Sequence, residues 1–273
     1  MNKKTLSRSI LCTPATMTQF KSAINCSADI ALMDLEDSIP LLMKDSARLN
    51  GLNAFKLITH DIPLAIRINS IRSFHGLKDI IEIINSGVDL ALIHLPKVEY
   101  ASEIRVVSDW LVESAPNTQL GAIIESPLGL SNLNEISATL SEGDSLVFGA
   151  KDFSCEMGIK DTWDNLLFAR YQLVMAAKRF KVKVIDSPSF EINDMEIVRN
   201  EATMARDIGF DGKLAIHPSQ VPVLNEVFTN SENVAWANDI INSCSSQKTI
   251  IKSKAGRLIG PPDVKLAQRI LNM

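Results

Sequence analysis

Along this chain, short aliphatic or β-branched runs alternate with longer stretches in which apolar residues recur every three or four positions, almost to the end. The short runs predict strands at residues 9–13, 30–34, 63–68, 90–95, 120–124, 145–148, 182–185 and 213–216. The helical spacing between them predicts helices at 18–25, 47–58, 77–85, 101–114, 130–140, 163–180, 194–208 and 219–228. Eight strand–helix units fit a (β/α)8 TIM barrel, a fold that takes about 250 residues. An open, doubly wound sheet would carry the same alternation, and periodicity does not separate the two. Beyond residue 228 come a helix at 234–243, a Lys-rich segment with Gly and Pro at 248–263, and a last helix at 264–271. The expected organisation is a barrel domain over 1–228 and a C-terminal helical extension over 229–273.

Composition narrows the class. The 273 residues are 46% hydrophobic and 22% charged, the balance of an ordinary globular protein, which excludes disorder and collagen-like repeats. With a formal charge of −4 and no basic block, the chain lacks the electrostatic footprint of a nucleic-acid binder. No apolar run approaches the roughly 18 residues that span a bilayer. The basic start, Lys3, Lys4 and Arg8, is followed only by Ile10-Leu11-Cys12 before polar residues return, so neither a signal peptide nor a membrane anchor is expected. Cys12, Cys26, Cys155 and Cys244 are scattered without a CxxC pair, as suits a reducing cytoplasm. There is no GxG pair for a dinucleotide, residues 209–213 have the wrong spacing for a phosphate-binding loop, and HExxH and GxSxG are missing.

The positions of the polar residues carry more. Almost every predicted strand ends in a polar cluster: Asp34-Leu35-Glu36-Asp37, Arg67-Ile68-Asn69, Pro96-Lys97, Glu125-Ser126, Gly149-Ala150-Lys151-Asp152, Asp186 and His217-Pro218. In a closed barrel these ends share the face that carries active sites, which predicts one pocket. Any one of them has a plainer reading as a helix cap, and His217 before Pro218 is read that way. Three carboxylates in four residues, however, are costly to gather without a cation, a guanidinium or protonation. Arg67, flanked by Ile66 and Ile68, is more easily understood as the partner of a bound anion than as a solvated charge. Glu125 and Asp152, on adjacent strand ends, are the minimum protein contribution to a Mg2+ site, which takes one or two carboxylates and leaves other positions to water and ligand oxygens. A 2-oxo acid, chelating through its carboxylate and keto oxygens, suits those positions, and a nearby arginine stabilises a developing enolate.

Residues 31–39, Ala31-Leu32-Met33-Asp34-Leu35-Glu36-Asp37-Ser38-Ile39, followed by Lys44 and Ala47-Arg48, resemble the DLEDAV…K…AR signature of citrate lyase β-subunit-like proteins, within the wider HpcH/HpaI-type family of 2-oxo-acid aldolases and citrate lyases. The resemblance continues in order through Arg67-Ile68-Asn69, Leu95-Pro96-Lys97-Val98, Ile124-Glu125-Ser126, Phe148-Gly149-Ala150-Lys151-Asp152 and residues 209–220. It implies a (β/α)8 barrel, often trimeric, whose C-terminal extension packs on a neighbouring subunit. It also implies Mg2+ on Glu125 and Asp152, a catalytic set of Arg67, Glu36 and Asp37, and a substrate-binding set of Arg67, Glu125, Lys151 and Asp152. The implied reaction is Mg2+-dependent cleavage of a β-hydroxy acyl thioester, carried by coenzyme A or an acyl carrier protein, to a 2-oxo acid and an acyl thioester. A thioester-independent 2-oxo-acid aldolase and a non-catalytic oxo-acid-binding protein are the alternatives.

Two departures bear on that choice. Relatives commonly carry an Arg and a Lys for coenzyme A phosphates after the first strand, where this chain has Gln19 and Ser22, with Lys21 between them. Relatives also carry an acid–base Asp near the C-terminus, where this chain has Gly260. Asp263, three residues on, either supplies that proton transfer or caps the final helix.

Overall fold

In the computed structural model, which describes residues 6–15, 20, 24, 26–57, 62–229, 231–243, 251–252 and 258–271, each of the eight aliphatic runs is a strand. These are β1 (Ser9–Pro14), β2 (Ile30–Asp34), β3 (Leu64–Arg67), β4 (Leu92–Leu95), β5 (Gln119–Ile124), β6 (Ser145–Phe148), β7 (Lys183–Asp186) and β8 (Gly212–Ala215). Every neighbouring pair is parallel, and β8 returns to pair with β1, Ile10 opposite Leu214. The sheet is closed, so the fold is a (β/α)8 barrel and not the open sheet.

Alternation along the strands builds two apolar layers. One cluster, Ile10, Ile30, Leu32, Ala65, Leu92, Ile123, Val147, Ile185 and Leu214, draws on all eight strands and on no helix, and so fills the barrel interior. The intervening strand residues, among them Met33, Ile66, Ile93, Ala122, Phe148 and Val184, pack outward against helix residues such as Phe55, Ile80, Ile104 and Leu173. Around the barrel run α1 (Lys44–Leu57), α2 (Phe74–Ser86), α3 (Ala101–Leu111), α4 (Pro127–Ser131), α5 (Leu133–Ser137), α6 (Ala150–Met157), α7 (Trp163–Phe180), α8 (Met195–Ile208) and α9 (Gln220–Thr229). Ser73, Ser126, Thr162 and Asp194 cap α2, α4, α7 and α8 through side-chain oxygens. Among the described residues, no helix is long and apolar enough to cross a membrane.

Some expectations needed correction. The helix at 130–140 is two short helices, because Asn132 leaves helical geometry and its side-chain amide donates to Glu99 O at 2.8 Å. Helix α6 was not anticipated: its apolar positions are too few for a pattern, and it is defined instead by Gly149 at its N-cap and Gly158 in the left-handed region at its end. Asp152 therefore sits in the first turn of a helix and not on a strand end. The expected helix at 18–25 lies outside the described residues except for Phe20 and Ile24, both buried. Gln19, Lys21 and Ser22 lie outside them as well.

The chain divides into two compact units, Met1–Phe228 and Thr229–Met273. In the second, α10 (Ser231–Ser243) and α11 (Pro261–Leu271) enclose Ala237, Ile240, Ile259 and Ala267, and β9 (Ile251–Lys252) pairs antiparallel with β10 (Leu258–Ile259). Helix α11 starts at Pro261, three residues before the apolar run at 264–271, because prolines fit the first turn, where N–H groups lack intrahelical partners. Asp263 reaches back to accept the Gly260 N–H at 2.8 Å, so its carboxylate satisfies the helix N-terminus.

Asp186 belongs to the scaffold. Its carboxylate points out of the barrel, accepting from Arg170 Nε of α7 at 3.0 Å and from Lys213 Nζ of β8 at 2.7 Å, with all three side chains buried. The Arg170 guanidinium also lies over the rings of Trp163 and Phe148, at 4.3 and 5.2 Å from their centroids. Burial opposes the Asp186 charge, but Lys213 and Arg170 outweigh it and hold the carboxyl below its ordinary value. Asp186→Ala strips the buried Arg170 of its carboxylate and leaves the buried Lys213 only Glu201, 3.9 Å away, and is expected to lower the unfolding free energy by about 3–5 kcal/mol in urea titrations near neutral pH. The native carboxyl is depressed, so this contribution is complete above about pH 4 and is lost as pH falls further, and the difference from wild type should narrow there.

Candidate active site

The C-terminal ends of β2, β3, β4 and β5 bring four of the predicted clusters together. Arg67, pointing inward from the end of β3, meets Asp34 at the end of β2 through two parallel bonds, Nε to Oδ1 at 2.7 Å and Nη2 to Oδ2 at 2.8 Å. The same carboxylate accepts the backbone N–H groups of Glu36 at 2.9 Å and Ser38 at 3.1 Å. Burial disfavours the Asp34 charge, yet the Arg67 bonds and charge, with the Ser38 side chain and the Glu36 N–H, hold its carboxyl below the usual range. The anion paired with Arg67 is thus first of all Asp34. The remaining Arg67 nitrogen, Nη1, lies 3.4 Å from Glu36 Oε2.

Glu36 is buried, and its Oε2 accepts no hydrogen bond. Its Oε1 accepts from Lys97 Nζ. Burial raises the Glu36 carboxyl above its ordinary value, with Arg67 and Lys97 opposing that shift. Asp37 is exposed and 3.6 Å from the same Lys97 ammonium. The loop bearing both acids is pinned from behind, since the buried Lys44 of α1 donates to Leu35 O at 2.8 Å and Glu36 O at 2.6 Å. Two helices fix the β3 loop in a related way: Arg48 of α1 donates to Asp79 of α2 at 2.5 Å, and Asp79 accepts the Asn69 N–H and side-chain amide, both at 2.7 Å.

Glu125 follows β5 directly and is 3% exposed. Its Oε1 accepts the Lys97 backbone N–H at 2.7 Å. The carboxylate lies against Gly149, where a Cβ would collide with it, so the glycine after β6 is needed for space. Burial, reinforced by the charges of Glu36 and Asp152 and opposed by Lys97 and Arg67, pushes the Glu125 carboxyl up to about 8. Asp152 is half-buried in the first turn of α6. Lys151, next to it, is exposed; its ammonium donates to Asp161 at 2.7 Å and lies 5.7 Å from the Phe190 ring centroid, so these, and not Arg67 or Glu125, are its partners here. His217 is exposed, and its Nδ1 is 2.7 Å from Ser219 Oγ, in keeping with a role at the start of α9.

Sequence reasoning left Lys97 without a role. It is one of three non-glycine residues among those described with positive φ, at 56°. The other two have ordinary settings: Lys181 ends α7 and Ser27 lies in a turn. A left-handed backbone costs a residue with a Cβ about 1–2 kcal/mol, so the surroundings must hold Lys97 there. The one signal in the sequence was Pro96, since proline followed by a left-handed residue is the pairing of type II turns, in which Gly or Asn is usual. Beside Arg67, at the paired position on β4, is a buried His94 whose two ring nitrogens have no partner. Burial and the Arg67 charge push its pKa down to about 3, so the ring is neutral.

Among the described residues, no group of three or more His, Cys, Asp or Glu side chains is arranged to hold a metal ion. A two-carboxylate site with waters, such as Mg2+ uses, falls below that number.

A family model described as HpcH/HpaI aldolase/citrate lyase matches residues 10–218. Mitochondrial citramalyl-CoA lyase of Mus musculus is 31% identical over 90% of this chain and 79% of its own. Among solved structures, RipC from Yersinia pestis is 33% identical with a TM-score of 0.73, over 84% of this chain and 99% of that one. The citrate lyase beta subunit from M. tuberculosis, complexed with oxaloacetate and magnesium, is 27% identical with a TM-score of 0.68, again over 84% and 99%.

The raised Glu125 carboxyl has a signed consequence. In metal-free protein it keeps its proton at pH values where the unfolded chain, with a carboxyl near 4.3, has lost it. The folded state then binds more protons, so stability falls as pH rises from about 4 to about 8. Glu125→Gln removes this dependence and should gain on wild type through that window by up to about 1.4 kcal/mol per pH unit, measured by urea unfolding in EDTA.

Proposed function

The chain belongs to the HpcH/HpaI aldolase/citrate lyase family and is a carbon–carbon lyase, and from that premise we propose that it cleaves a β-hydroxy acyl thioester of citryl, malyl or citramalyl type to a 2-oxo acid and an acyl thioester, with Mg2+ as cofactor. The observation that carries this reading is the Glu125 carboxyl, buried among the charges of Glu36 and Asp152 at the barrel mouth and destabilised there as an anion. A cation relieves that repulsion, and the available donors are hard carboxylate oxygens, the type Mg2+ prefers. Glu125 and Asp152 would hold the ion. When bound, it supplies a Lewis acid toward the oxygens of the 2-oxo acid.

The chain's own residues account for the rest. Cleavage begins with removal of the β-hydroxyl proton, after which the carbon–carbon bond breaks and leaves a 2-oxo acid and the enolate of the acyl thioester. Glu36 takes the proton at Oε2, its oxygen without a hydrogen bond, and the enolate carbon takes one proton back, from Glu36 or from solvent by way of Asp37 at the rim, to complete the acyl thioester. Arg67, with Nε and Nη2 fixed by Asp34, presents Nη1 toward the pocket to offset charge on the developing enolate. Asp263 accepts the Gly260 N–H, which supports its reading as a helix cap, and on this reading the acid–base work falls to Glu36 and Asp37. Lys151 joins the substrate-binding set on this reading by exchanging Asp161 for a substrate carboxylate. The C-terminal unit, on the same reading, packs on a neighbouring subunit of a homotrimer, and light scattering on the eluted protein tests that assembly.

The test is a mass-spectrometric screen of hydroxyacyl thioesters, on coenzyme A and on an acyl carrier protein, and of free hydroxy acids with purified protein and Mg2+. Release of a 2-oxo acid from a thioester is the expected result; release only from free acids identifies a thioester-independent aldolase instead. Asp152→Ala should abolish Mg2+-dependent binding of oxaloacetate in calorimetry and leave the melting temperature near wild type, because the residue is half-buried and Ala suits a helix. Arg67→Lys keeps the charge but loses the fork, and kcat should fall by about 100-fold with a smaller change in Mg2+ affinity.

A further inference from the structure

One residue touches both halves of this site. Lys97 gives its backbone N–H to Glu125 Oε1 and its ammonium to Glu36 Oε1, and its φ of 56° is the strained backbone at the barrel mouth. Its carbonyl is also held, accepting from Arg72 Nη2 at 2.8 Å, and the next N–H, of Val98, donates to Ile123 O at 3.2 Å on β5. The left-handed turn is therefore fixed on both sides. We propose that Lys97 is the positioning residue that sets two carboxylates at once, its backbone aiming Glu125 and its side chain aiming Glu36.

This deepens the lyase reading and rests on it for the roles of Glu36 and Glu125. Without the ammonium, the buried Glu36 carboxylate faces Arg67 alone, which is already engaged by Asp34. Without the left-handed constraint, the N–H is free to turn away from Glu125. A residue kept in an unfavourable conformation by its neighbours, with its N–H and ammonium both directed at site acids, is strain serving geometry. The two contributions separate by substitution. Lys97→Met keeps the backbone constraint and the stem but not the charge. Lys97→Pro removes the charge together with the N–H and the left-handed turn, since its ring carries no N–H and fixes φ near about −65°. Lys97→Arg keeps the charge.

The experiment uses the full chain in four forms, wild type and the three variants, with metal-free crystal structures, thermal melts, calorimetry with MgCl2 alone, and kinetics on the thioester found in the screen. Glu36 should leave its position in Lys97→Met, and Glu125 should stay. In Lys97→Pro both should move, the melting temperature should fall below that of Lys97→Met with unfolding still cooperative, and Mg2+ affinity should fall by about 10-fold or more. The affinity of Lys97→Met for Mg2+ should stay within about threefold of wild type, because its N–H still holds Glu125. Turnover should drop by about 10- to 100-fold in both, mostly in kcat, and recover in Lys97→Arg. An unmoved Glu36 with wild-type kcat in Lys97→Met overturns the side-chain role. Equal Mg2+ affinity in Lys97→Met and Lys97→Pro, with Glu125 unmoved in both, overturns the backbone role. A wild-type protein inactive on every thioester, with the carboxylates still moving as described, sinks the lyase reading and leaves the positioning role standing.

Discussion

Asp34 accepts four hydrogen bonds: two from the Arg67 guanidinium and one each from the backbone N–H groups of Glu36 and Ser38. A carboxylate taken out of water must have its lone pairs satisfied, and here that requirement joins two strand ends and a loop into a single unit. Because Nε and Nη2 are committed, the guanidinium plane cannot rotate, and the direction of Nη1 is set by β2 as much as by β3. Because the Glu36 and Ser38 N–H groups are committed too, the acidic loop has one conformation. The pair is thus both the charge balance and the alignment of the barrel mouth.

A second ring of contacts holds that unit from outside the barrel. Lys44 takes the carbonyls of Leu35 and Glu36, and Arg48 reaches the β3 loop through Asp79 and Asn69. Both cations project from α1, four residues apart, which is one helical turn. The sequence feature that places Lys44 and Ala47-Arg48 after the acidic cluster therefore has a mechanical explanation: one helix face keeps two loops in register. None of these side chains needs to meet a ligand.

The strands were legible in the sequence because each is an aliphatic run bounded by polar residues, and burial on both faces makes such runs hard to miss. Closure was not legible, since it depends on β8 finding β1 across the whole domain. Helix α6 was missed because a short helix defined by two glycines has little apolar period to read. In the site, Arg67 stood out as a charge on an apolar strand, while the identity of its partner depended on the register between β2 and β3, which sets Asp34 opposite Arg67. Asp186 drew attention by the same strand-end logic, and the outward direction of its side chain turned it into scaffold. Lys97 was hidden because its part depends on a dihedral angle, and a lysine after a proline reads as an exposed turn.

The charges collected at this end of the barrel also bear on the order in which molecules arrive. Asp34, Glu36, Asp37, Glu125 and Asp152 gather there with Arg67 and Lys97, and even with Glu125 protonated the balance is negative. A mouth of that sign, bounded by low-dielectric walls, concentrates small cations and slows the encounter with anions. An organic acid approaching the metal-free barrel meets repulsion, and one approaching after a divalent ion has bound does not. The arrangement of carboxylates thus favours a cation over an anion as the first arrival, with no moving part.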